Sequence, residues 1–150
     1  MERLSTPEKI SEYMRGNIHY ATPSDRKKSQ TKGFWWKTPE ETFNDRFGFC
    51  YDLAAFALYG LVKHAQPNSK LLFTRWGNWG RESNSGYFVA VYGKDGAYHS
   101  IDNGRLKGPF SSLDQLLMST ARNNKIKHSC FFSYDSIPFH MPYNEMVVFG

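Results

Sequence analysis

The sequence predicts a single α+β domain, and three observations predict it. Helix signals dominate the chain up to His64, segments rich in β-branched and aromatic residues follow from Leu71, and Asp95-Gly96 supplies a turn that joins two of those segments as an antiparallel hairpin. Helices first and an antiparallel sheet afterwards is the α+β order. The 150 residues, 40% hydrophobic and 22% charged, suit one globular domain that buries a core without disulfides or structural metal.

Each element has its own signal. Thr6 before Pro7 is a capping residue followed by a first-turn proline, and Ile10, Tyr13 and Met14 recur at helical spacing, so a helix is expected over residues 7–15. Residues 21–32 are polar, basic and nearly free of apolar side chains, which reads as a loop. Thr38-Pro39-Glu40-Glu41 is a full capping box for a short helix that ends near Gly48. From Cys50 to His64 the chain is apolar on most sides, which predicts a buried central helix. Strands are expected at 71–74, 87–92 and 97–102, a helix at 112–121 behind Ser111-x-x-Asp114, and late strands at 130–134 and 145–149.

Composition narrows the function classes. No apolar run approaches the roughly 18 residues that span a bilayer, and the first eight residues lack a signal-peptide core, so no membrane association is expected. Cys50 and Cys130 lie far apart and in no CxxC pair, which argues against a zinc cluster or disulfide framework and suggests a reduced, cytoplasmic setting. No cofactor is implied, because P-loop, dinucleotide and histidine-ligand spacings are all missing. Nineteen Lys and Arg against 14 Asp and Glu give +5, concentrated in Arg26, Lys27, Lys28, Lys32 and Lys37 beside Phe34, Trp35 and Trp36, with a smaller group at Arg122, Lys125 and Lys127. Cations interleaved with aromatics can bind single-stranded nucleic acid, so segment 26–37 carries one alternative function, although a solvated basic loop is the commoner meaning of such a run.

The chemistry centres on Gly48-Phe49-Cys50-Tyr51-Asp52, which sets a cysteine in the first turn of the central helix. Unpaired N–H groups and the helix dipole at that position stabilise a thiolate, whereas a lone cysteine elsewhere usually serves as a small hydrophobe. Gly48-Phe49-Cys50-Tyr51-Asp52-Leu53-Ala54 resembles the G-x-C-x-[DE]-x-A start of the transglutaminase-like branch of the papain-like cysteine enzymes. Residues 87–102, Tyr-Phe-Val-Ala-Val-Tyr-Gly-Lys-Asp-Gly-Ala-Tyr-His-Ser-Ile-Asp, lie without a gap on that family's strand, turn and strand pattern, and Gly108-Pro109-Phe110 continues it. The resemblance covers residues 38–117. It implies a papain-like fold, a Cys50 nucleophile that attacks amide carbonyls to form a thioester, an orienting carboxylate at Asp102, and a peptide or protein as substrate or ligand.

One position departs from the pattern: Tyr87 stands where the family has its histidine. A phenol is protonated at neutral pH and neither accepts a thiol proton nor becomes a cation that holds a thiolate. His99 should point to the opposite sheet face from Asp102, His64 closes the central helix, and His19 and His128 have no motif around them. His140, in a proline-bounded loop, is the remaining replacement. Trp76, Trp79 and Arg81, just before the hairpin, are candidate substrate-binding residues. Three readings follow: an amide-bond hydrolase or acyltransferase, a catalytically degenerate domain that binds peptide or protein, and a nucleic-acid-binding module. Oligomeric state has no sequence signal.

Overall fold

A computed structural model describes residues 4–25, 35–76 and 85–141. Helix α1 (Pro7–Asn17) begins as expected, with the Thr6 hydroxyl accepting from the Lys9 N–H at 3.1 Å, and buries Ile10 and Met14. It runs beyond residue 15 because its last carbonyls find partners up to Ile18. A two-residue strand, β1 (His19–Tyr20), pairs in parallel with β2 (Phe47–Gly48), a contact too short to leave a sequence pattern. Of the expected loop at 21–32, only residues 21–25 are among those described.

Helix α2 (Pro39–Asp45) forms the complete capping box: Thr38 Oγ1 accepts from the Glu41 N–H at 3.2 Å, and Glu41 Oε1 from the Thr38 N–H at 2.9 Å. Arg46 then turns left-handed at φ 64° and releases the chain into β2. Helix α3 (Cys50–Gly60) continues into a π-helical turn (Leu61–Ala65), which together cover the expected central helix. Nearly all of α3 is buried, with Ala55, Ala57 and Leu58 inaccessible to solvent. At its end, Gly60 lets α1 approach, since a Cβ there would meet Ile10 Cδ1 at 3.0 Å.

The sheet has five antiparallel strands in the order β6-β5-β4-β3-β7: β3 (Lys70–Trp76), β4 (Ser85–Lys94), β5 (Ala97–Asp102), β6 (Arg105–Phe110) and β7 (His128–Phe132). Strand alternation divides its residues. Leu71, Phe73, Phe88, Ala90, Tyr92 and Ile101 pack with α1 and α3, while Leu72, Tyr87, Val89 and Val91 face Leu116 of α4 (Leu113–Thr120) on the other side. The β4–β5 turn uses Asp95 and Gly96 at φ 54° and 75°, as the sequence indicates. Strand β6 was not expected, yet Asn103-Gly104, at φ 49° and 86°, is a second two-residue hairpin turn pairing Asp102 with Arg105.

Two boundaries shift. Ser112, not Ser111, caps α4, accepting from the Gln115 N–H at 3.2 Å. The strand expected at 130–134 lies at His128–Phe132, because register with β3 ends at Phe132 and Tyr134–Ser136 forms a 3-10 turn. The expected strand at 145–149 falls outside the described residues.

Gly48 and Gly16 should respond in opposite ways to the same substitution. A Cβ at Gly48 would lie 2.6 Å from Asp52 Cβ, so Gly48→Ala should lower urea stability by about 1–3 kcal/mol. Gly16, exposed in α1 with open space around it, should gain about 0.5–1 kcal/mol as alanine. Equal responses at the two sites would contradict this packing at the start of α3.

Candidate active site

A buried carboxylate sets the start of α3. Phe49 sits at the N-cap but has no capping oxygen, and Asp52 supplies it from inside the helix: Oδ2 accepts from the Phe49 N–H at 2.9 Å and Oδ1 from the Lys37 N–H at 2.8 Å. Trp36, itself buried, donates its indole N–H to the Tyr51 carbonyl at 2.9 Å. Segment 36–37 therefore clasps the first turn of α3 and holds Cys50 in place as its first residue. Burial pushes the Asp52 carboxyl up to about 7, against the pull of the two backbone donors.

Cys50 packs against both clusters of sheet residues, at the boundary between the α3 side and the α4 side. Burial pushes its thiol up to about 12, with the Asp52 and Asp102 carboxylates adding to the rise and backbone groups of Phe88 and Tyr51 opposing it. Desolvation and negative neighbours here outweigh the helix-terminal effect that the sequence suggested.

Across the β4–β5 hairpin, the Tyr87 hydroxyl donates to Asp102 Oδ1 at 2.7 Å, and Lys107 of β6 donates to Asp102 Oδ2 at 2.9 Å. Tyr87 and Asp102 are both buried, whereas the Lys107 side chain is 41% exposed. Burial and the Asp102 charge both raise the Tyr87 phenol above its ordinary range, so it stays protonated. The Arg122 guanidinium lies 4.6 Å from the Tyr87 ring centroid. It reaches there from an unusual backbone: Arg122, at φ 55°, occupies the left-handed position just past α4, with its N–H on the Ser119 carbonyl at 3.1 Å and the Asn123 N–H on Met118 at 2.8 Å. Glycine is the usual residue in this helix-ending motif.

The structure thus brings together Cys50, Tyr87 and Asp102, and sets Trp76, at the end of β3, against the same cluster as Tyr87 and Cys50. Trp79 and Arg81 lie outside the described residues. The histidines are engaged elsewhere. His99 stacks on Tyr92 on the α3 side of the sheet (5.0 Å, 10°), His64 meets Tyr59, and His19 pairs with Asp25 at 2.8 Å. His140 binds Glu41 at 2.6 Å, and His128 stands on edge strand β7 opposite Arg75. In the basic segment, residues 26–34 are outside the described set; Trp36 is core, and Lys37 is buried against Asp45 at 2.9 Å and over the Phe47 ring at 3.5 Å. Those two side chains are therefore turned inward.

Sequence reasoning missed Lys107 and Arg122. The Asn103-Gly104 turn was the signal for Lys107, since a hairpin there places it opposite Ser100 and close to Asp102. Arg122 has no such signal, because an arginine in a glycine position is visible only in three dimensions. Among the described residues, no group of three His, Cys, Asp or Glu is arranged to hold a metal, and no helix is long and apolar enough to cross a membrane.

No family model and no curated protein matches the chain. Two solved structures of LapG from Legionella pneumophila do resemble it, one of them of EGTA-treated protein. Both are 14% identical at a TM-score of 0.50, covering 93% and 94% of this chain and 72% and 71% of theirs. At that identity the likeness concerns the fold, which is papain-like and transglutaminase-like, with the Cys50 helix packed on an antiparallel sheet.

The two donors on Asp102 should differ in weight. Tyr87→Phe leaves a buried carboxylate short of one donor and should cost about 1–2 kcal/mol in urea unfolding. Lys107→Met removes a part-exposed partner and should cost less than about 1 kcal/mol. A larger loss for Lys107→Met would contradict the assignment of Tyr87 as the principal partner.

Proposed function

We propose that this chain is a catalytically degenerate transglutaminase-like domain that binds a peptide or protein segment at the start of α3 without acyl transfer. The observation that carries the reading is the 2.7 Å hydrogen bond from the Tyr87 hydroxyl to Asp102, in the place where the resembling enzymes keep an imidazole. Acyl transfer by cysteine needs a base to take the thiol proton and a cation to hold the thiolate. The phenol supplies neither. Its proton is committed to Asp102, and its raised pKa excludes ionisation near neutrality. Burial and the two neighbouring carboxylates push the Cys50 thiol well above its ordinary range, which keeps it protonated at neutral pH. Cys50 then acts as a small apolar residue that seals α3 against the sheet.

What remains suits recognition. Trp76 and Arg122 border the Cys50 cluster, one as an apolar face and the other as an oriented cation, and the hairpin is held rigid by Asp102. A reducing, cytoplasmic setting belongs to the same proposal, supported by the wide spacing of Cys50 and Cys130 in the sequence.

A second reading keeps the chain an amide-bond hydrolase or acyltransferase, and one observation favours it: Cys50 opens α3, where backbone N–H groups can receive an oxyanion, and Asp102 is retained beside it. Tyr87→His separates the two. The degenerate reading expects wild-type turnover at background on a panel of amide and glutamine-type substrates, and an increase of ~10²–10⁴-fold in the variant as the imidazole meets Asp102 and the thiol. Wild-type turnover that vanishes in Cys50→Ala would overturn that reading in favour of the hydrolase.

A further inference from the structure

Away from Cys50, a cavity of about 470 Å³ opens between α2, α3 and the 3-10 turn, and its chemistry is distinct. Its walls include Phe43, Phe56, Tyr59 and Tyr134, with Leu4 beside them and Glu40 as the charged lining residue. The volume falls within the range of small-ligand sites. Its described walls include none of Leu72, Tyr87, Val89, Val91 and Leu116 on the α4 side of the sheet, although Leu4, Phe56 and Tyr134 share the α3-side core against which Cys50 also packs.

The four rings are braced from behind. Tyr13 stacks on both Phe43 (6.1 Å, 5°) and Phe56 (6.0 Å, 18°) yet is not itself a wall, so it backs both rings. Phe43 is nevertheless 40% exposed. Opposite them, Tyr59 and Tyr134 meet at 5.9 Å and 51°, forming a corner, and Phe139 supports Tyr134 at 5.7 Å. Aromatic faces carry the negative end of the ring quadrupole and attract cations. No Lys, Arg or His among the described residues lines the cavity. Among the described residues, Glu40 enters no ion pair, whereas its neighbour Glu41 is tied to His140. On a chain of net charge +5, an unpaired carboxylate beside four braced rings is a local reversal of sign.

We propose that this cavity binds a small organic cation with a methylated ammonium head. A bare ammonium has three N–H donors and a tightly held hydration shell to give up, and it would be held by the Glu40 carboxylate and the Tyr59 and Tyr134 hydroxyls rather than by the ring faces. A methylated head has no donors; it needs π faces and one counter-charge, which Phe43, Phe56, Tyr59, Tyr134 and Glu40 provide.

Choline and its neutral carbon isostere, 3,3-dimethylbutan-1-ol, are the probes, titrated against the full chain by NMR and calorimetry. Choline should bind saturably in the millimolar range or tighter, with the isostere weaker by about fivefold or more. Glu40→Gln and Tyr134→Leu should each weaken choline about three- to tenfold, the first by removing the counter-charge and the second by removing a π face at similar volume. Glu40 is exposed, so Glu40→Gln decides the matter even if Tyr134→Leu fails to fold. Equal affinity for the isostere, choline binding that neither folded variant changes, or no saturable binding would each overturn the proposal.

Discussion

Asp52 is the constraint from which the rest of the molecule follows. A carboxylate with no exposed surface is tolerated only when its oxygens are paired, and here both are, by the Phe49 and Lys37 N–H groups. That pairing joins three stretches of chain. It caps α3 from within, draws segment 36–37 over the helix start, and requires glycine at position 48, where any side chain would strike Asp52. With α3 fixed in this way, the Cys50 thiol sits where packed side chains and two carboxylates oppose ionisation.

Asp102 plays the corresponding part on the sheet. It holds the hydroxyl of Tyr87 and the ammonium of Lys107, and so ties β4, β5 and β6 at the end of the hairpin. The far side of the same turn is secured by α1, since the Ser11 hydroxyl donates to the Gly104 carbonyl at 2.6 Å. Arg122 completes the group by lying over the Tyr87 ring from a backbone conformation that costs an L-residue on the order of 1 kcal/mol. The hairpin thus satisfies its carboxylate with a phenol of β4 and an ammonium of β6.

Most of this architecture is readable from local sequence, because its signals are local. The Thr6 and Thr38 caps, the apolar density of α3 and the Asp95-Gly96 turn each name an element through interactions within a few residues. Strand β6 was equally marked by Asn103-Gly104, but its residues are mostly exposed and lack the alternation that identifies a half-buried strand. The pairing of β1 with β2 and the shift of β7 depend on register with distant strands, which no local window contains. In the site, Cys50, Tyr87 and Asp102 follow from motif spacing. Arg122 and the inward turn of Lys37 do not, because each side chain is placed by a tertiary partner: the Tyr87 ring for one, Asp45 and Phe47 for the other.

The account rests on the protonation state of one sulfur. Titrating the ultraviolet thiolate absorbance of the folded chain, with Cys130→Ser to remove the second thiol, measures it directly. A thiol buried beside the Asp52 and Asp102 carboxylates predicts a Cys50 midpoint well above the roughly 8.5 of an ordinary thiol, toward about 12. A midpoint below about 7, the range of activated cysteines, would show that some other group already holds the thiolate and would contradict the account.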